Sequence, residues 1–156
     1  MESVDPKLAQ RVWQRVQGTG GSIGVGAGGD ASQEVLALAA LEQSQSAAYM
    51  QLSRRFVGKT AALLLQLGQR KRSRSACMRG IYRMLTGQVP AIPTVRPGIS
   101  EHTPAALCRC CTQERALFDR YQANRSHPEY GSVFGGLADQ TQLDHQSVLS
   151  LLGELD

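Results

Sequence analysis

Apolar and neutral side chains recur at helical spacing in four long segments of this chain. A first stripe runs through Val35, Leu38, Glu42, Gln45, Tyr49, Leu52 and Phe56, and another through Leu107, Cys110, Glu114, Leu117 and Tyr121. Between them lie Leu64, Leu65, Ser75, Met78, Tyr82 and Leu85, and after them Phe134, Leu137, Thr141, His145, Val148 and Leu152. Each stripe predicts one amphipathic helix. Asp30 with Gln33 three residues on has the form of a capping box, opening a helix to about Arg54. The second helix spans about Val57 to Leu85 and stops at Thr86 and Gly87, glycine being the usual residue past a helix end. Thr103 followed by Pro104 starts a third helix that reaches about Asn124. Ser126, His127 and Pro128 restart the chain, and the fourth helix ends near Leu152 at Gly153.

The links between these helices decide the topology. The first and second are joined closely, as are the third and fourth. The middle link, Gln88 to Ser100, contains Pro90, Pro93, Pro97 and Gly98 and reads as an extended crossover. Residues 30–156 are therefore expected to form an all-α bundle, two antiparallel helical hairpins joined by a long crossover. Ahead of it, residues 1–17 suggest a short amphipathic helix with Val12 and Trp13 on its apolar side, and residues 18–29 a glycine-rich flexible tether. The run Gly24 to Gly29 matches a dinucleotide-binding glycine pattern in form only, since no strand precedes it.

Two stripes contain an acid where an apolar residue belongs. Glu42 and Glu114 are each followed seven residues later by a tyrosine, Tyr49 and Tyr121. Burying an unpaired carboxylate costs several kcal/mol, so each acid calls for a cation, a metal or a proton.

At 156 residues the chain is about one domain, large enough for a core without crosslinks. Cys77, Cys108, Cys110 and Cys111 are read as reduced thiols. The absence of a long apolar run or a basic-then-apolar leader predicts a cytoplasmic chain with no membrane span. Net charge is +4, but its distribution is uneven: Gln43 to Ser100 contains no acid, while ten Lys and Arg fall there. The basic run Arg70 to Arg74 lacks interleaved aromatics, which disfavours a nucleic-acid partner bound by base stacking.

Sliding the second half of the chain onto the first places Glu114 on Glu42 and Tyr121 on Tyr49 at one offset. At a nearby offset Gln142 falls on Arg72, His145 on Ser75 and Val148 on Met78. The two Glu/Tyr pairs, the run Arg79, Gly80, Ile81, Tyr82, and Pro128, Glu129, Tyr130, Gly131 leading towards His145 carry a resemblance over about residues 32–152. The chain resembles the rubrerythrin-like branch of the ferritin-like superfamily. That resemblance implies a ferritin-like four-helix bundle, iron-dependent oxidation or peroxide reduction, and a di-iron centre of two lone glutamates plus two Glu/His pairs. Bundles of this kind commonly pair as homodimers.

By that resemblance Glu42, Glu114 and His145 match ligand positions. Arg72 and Ser75 stand where a Glu and His are expected on the second helix, and Gln142 where a Glu is expected on the fourth. An arginine among two iron ions adds about 4 kcal/mol of repulsion per nearby charge at an effective dielectric of 20, so no intact di-iron centre is expected. Two readings remain. Either Arg72 replaces the metal as a salt bridge between the glutamates, with His145 or the tyrosines completing the hydrogen bonds. Or one iron or zinc ion persists on Glu42, Glu114, His145 and Gln142. Tyr49 and Tyr121 are candidate catalytic groups. Cys108 and Cys111, three apart on one helix face, are a candidate redox pair or soft-metal site that Arg109 and Arg115 would push towards thiolate. The functional alternatives are thus a degenerate rubrerythrin-like protein, a single-metal oxidoreductase, and a non-catalytic interaction module using the basic face.

Overall fold

The computed structural model describes residues 25–92 and 98–155, with side chains from Ala31 onward. The expected N-terminal helix, and the tether up to Gly24, lie outside the described residues. Among the described residues the fold is all-α, with four helices and no strand: α1 (Val25–Ser53), α2 (Gly58–Thr86), α3 (Thr103–Ala123) and α4 (Gly131–Glu154). No helix among them is long and apolar enough to cross a membrane.

The helix boundaries correct three details of the sequence reading. α1 starts at Val25, ahead of Asp30, so the glycines from Gly26 to Gly29 belong to the helix and not to a tether. Propagating a formed helix adds one hydrogen bond per residue, and here it runs through the capping box. Thr103 is the first helical residue of α3; the cap position belongs to His102, with Pro104 in the first turn. α4 continues through Gly153 and is capped at Leu155.

The turns explain where the helices do stop. Gly87 adopts φ 70°, and its N–H donates to the Arg83 carbonyl at 2.8 Å, the left-handed cap that closes α2. Gly58, at φ 64°, redirects the chain into α2. In the turn just before α4 the His127 ring ties the backbone down: its Nδ1 accepts the Glu129 and Tyr130 N–H groups at 3.1 and 3.2 Å. Without the imidazole, two backbone donors in the turn leading into α4 would lose this acceptor.

The chain divides into two compact units, described in turn. The first comprises described residues 25–46 of α1 and 69–92, which contain the end of α2. Val35, Leu38, Ala39, Met78 and Ile81 are buried in it. Ser75 Oγ donates to the Ala39 carbonyl at 2.8 Å, so the two segments run antiparallel with residue 39 beside 75 and 42 beside 71 and 74.

The second unit comprises residues 47–68 and the described part of 97–156. Tyr49, Leu52, Leu64, Leu67, Leu107 and Val148 form the centre of its apolar cluster. Arg55, in the turn after α1, fastens the end of the crossover: its guanidinium donates to the carbonyls of Ile99 at 3.0 Å and Glu101 at 2.8 Å. Glu101 in turn pairs with Arg109 at 2.7 Å. The Arg55→Ala variant is expected to lose about 1–3 kcal/mol in urea denaturation, since charge-assisted bonds to carbonyls that end a connector have no apolar substitute. A loss below about 0.5 kcal/mol would show that water replaces the guanidinium at no cost.

Candidate functional site

Both stripe acids face inward. Glu42 and Glu114 are fully buried, as are Tyr49 and Tyr121 at 1% and 0% exposure. The apolar period thus placed the unusual residues where it placed the ordinary ones.

In the first unit Glu42 meets two cations. Arg74 Nε lies 3.1 Å from Oε1 and Lys71 Nζ lies 3.6 Å from Oε2. Lys71 is wholly buried and Arg74 nearly so. A lysine and an arginine at this depth are costly to desolvate, and the carboxylate between them offsets part of that cost by direct ion pairing. Arg72, the expected bridging cation, is exposed. The helical repeat accounts for the correction: counting back from Met78 in steps of three or four reaches Arg74 or Ser75, then Lys71, Leu67 and Leu64, all buried. Arg72 sits about 100° away from Lys71 on the same helix.

In the second unit the Tyr49 hydroxyl donates to Glu114 Oε1 at 2.7 Å in a fully buried setting. Burial, above all, pushes the Tyr49 phenol well above its ordinary range, with the Glu114 charge, Cys110 and Asp144 adding to it. Tyr49 therefore holds its proton and serves as a donor. This fixes the sign of one pH effect. The unfolded phenol titrates at 10.0 and the folded one higher, so its contribution to stability is intact below pH 10.0 and is lost as pH rises beyond it. In the Tyr49→Phe variant a buried carboxylate loses a donor, for an expected cost of about 1–3 kcal/mol at pH 7 and a shallower alkaline decline above pH 10. Urea midpoints measured at neutral and alkaline pH check both halves; an unchanged alkaline slope would exclude Tyr49 as its source.

The fourth helix supplies an acid that the sequence reading missed. Asp144 is 2% exposed, whereas Gln142 is exposed and His145 only half-buried. The stripe steps from Thr141 to Asp144 and on to Val148, three and then four residues, instead of through His145. Among the described residues three acids therefore lie inside the two units: Glu42 in the first, Glu114 and Asp144 in the second. Among the described residues no group of three or more His, Cys, Asp or Glu gathers in a way that would hold a metal ion. The donor set expected for a residual ion, with Gln142 and His145 on it, is not the set the buried face presents.

Tyr121 packs against Phe134 with ring centroids 6.2 Å apart, a core contact. Tyr130 is 2% exposed, stacked near His127 and edge-on to Phe134, and among the described residues its hydroxyl has no hydrogen-bond partner. Tyr130→Phe removes that buried hydroxyl without changing the ring and is expected to raise thermal stability by up to about 1 kcal/mol. A lower melting temperature would mean that the hydroxyl is satisfied in solution.

Of the thiols, Cys108 is exposed while Cys110 and Cys111 are buried. Burial, then Cys108 and Glu114, push the Cys111 thiol up, opposite to the expected thiolate. The two arginines expected to favour the thiolate are engaged elsewhere. Arg109 pairs with Glu101, and Arg115 pairs with Asp119 at 3.5 Å and lies over the Phe118 ring.

Comparison with protein-family models, with curated proteins and with solved structures yields no match.

Proposed function

We propose that this chain is a divergent rubrerythrin-like protein of ferritin-like architecture that works without a di-iron centre, as a non-catalytic interaction module. The observation that carries this reading is the pair of buried cations on Glu42. A carboxylate already flanked by lysine and arginine is a poor site for a further cation, because the incoming ion would meet two like charges within a few ångströms. Tyr49 supports the same reading from the second unit, since a phenol that retains its proton acts as a structural donor to Glu114.

The partner implied is anionic. In the described residues of the first unit Arg70, Lys71, Arg72, Arg74, Arg79 and Arg83 stand against Asp30, Glu34 and Glu42. In those of the second unit basic and acidic residues are equal in number. Arg72 and Arg83 are exposed on one stripe of α2, with Arg79 between them. Such a one-signed surface steers anionic partners and loses its grip as salt rises.

Elemental analysis of protein grown with excess iron and zinc and purified without chelator is the decisive test. The expected result is far less than one iron or zinc per chain. One metal per chain that disappears in Glu42→Gln or Glu114→Gln would restore the single-metal oxidoreductase. For the partner, a fluorescent polyglutamate peptide should bind at low salt and be weakened by Arg72→Ala with Arg83→Ala. Binding of duplex DNA in preference to the peptide would reassign the partner to nucleic acid.

A further inference from the structure

Cys108 and Cys111 have no place in that reading, yet they form the best-placed pair of soft donors among the described residues. We propose that the two thiols hold a soft, two-coordinate monovalent cation of the copper(I) or silver(I) class. They lie one turn apart on the same face of α3, where side chains three residues apart have Cβ atoms about 5–6 Å from each other. A linear dithiolate needs its sulfurs roughly 4.6 Å apart, two bonds of the ~2.3 Å length that thiolates make with d10 zinc. The side chains span that distance without leaving the helix.

The donor count selects the ion. No third His, Cys, Asp or Glu joins the pair in a metal-holding group among the described residues, so the closed four-ligand shell of structural zinc has no counterpart here. Thiolate ligands favour copper(I), which does not require four donors. Access and protection are divided between the two residues. Cys108 is exposed and opens the site to solvent, whereas Cys111 lies at the edge of the apolar cluster with Leu107 and Ala106. Cys110 belongs elsewhere: it is buried, and its charge would act on Tyr49.

The binding step balances simply. Two S–H bonds break, two metal–sulfur bonds form, and two protons leave to solvent without any electron transfer. Because binding releases both thiol protons, affinity falls as pH falls.

The test is an anaerobic titration of the reduced full chain with copper(I) buffered by a chromophoric competitor, followed by a thiol count. The expected result is one copper(I) per chain, with two of the four cysteines shielded from a thiol reagent. Cys108→Ala and Cys111→Ala should each lose competitive binding, while Cys77→Ala and Cys110→Ala retain it, all with wild-type helical circular dichroism. The Glu42→Gln chain should still bind, which separates this site from the carboxylates and from the fate of the interaction-module reading. Copper(I) binding that survives Cys108→Ala, or that Cys110→Ala removes, would overturn the proposal. So would a wild-type chain that binds none.

Discussion

Replacing Glu42 with leucine is expected to cost about 3–5 kcal/mol in urea denaturation, the largest loss of any single substitution considered for this chain. The reason lies in what stays behind. Lys71 and Arg74 are buried at 0% and 4% side-chain exposure, and the substitution removes the carboxylate 3.6 and 3.1 Å from them. Most of the cost is the desolvation of cations that no longer have that carboxylate, and only part is the lost ion pair. A triple variant makes the distinction measurable. With Glu42→Leu, Lys71→Met and Arg74→Met together, no charge of this cluster remains to be desolvated, and much of the lost stability should return. If the single variant loses under about 1 kcal/mol, the cations reach water and the buried pairing is not what holds this part of α1 and α2 together.

Gly131→Ala is expected to cost about 3 kcal/mol, near the upper end of what overpacking does. A β-carbon at residue 131 would collide with the backbone carbonyl oxygen of Arg125, and backbone cannot rotate aside as a side-chain tip would. The same carbonyl region is fixed by the turn that begins α4: His127 N–H donates to the Asn124 carbonyl and Gly131 N–H to the His127 carbonyl. Arg125 also reaches forward to the Gly135 carbonyl at 3.2 Å and to Asp139 at 2.8 Å, so moving its backbone disturbs the first turns of the helix. Gly136 is the control. A β-carbon there meets nothing within 4 Å, and Gly136→Ala should stabilise the chain by about 0.4–1 kcal/mol by restricting the unfolded state. Thermal melts of the two variants should move in opposite directions; equal shifts would refute the steric argument.

These effects sit on a frame that was largely visible beforehand. Val35, Leu38, Glu42, Gln45, Tyr49 and Leu52 are all buried, and so are Leu107, Cys110, Glu114, Leu117 and Tyr121. Apolar spacing was unambiguous there because few charges interrupt it. On α2 the signal was blurred by adjacent basic residues, Arg70, Lys71, Arg72 and Arg74, any of which fits a helical stripe within one position. The half-to-half alignment selected Arg72, and packing selects Lys71 and Arg74 because they continue the line from Leu64 and Leu67. On α4 the step after Thr141 could be three or four residues. An acid at one choice and a histidine at the other made the family pattern decide for His145, whereas burial decides for Asp144. The imidazole that holds the turn ahead of α4 was not legible, since histidine is not among the residues whose side chains usually accept at helix starts.

The sheltered phenols give the molecule an internal optical gauge. Tyr49 and Tyr130 are both held protonated by their surroundings, so neither reaches the absorbing phenolate form while its pocket is closed. The phenolate absorbance of these two should therefore appear only as helical circular dichroism disappears, and collapse of the interior would be read directly from the colour of its own side chains.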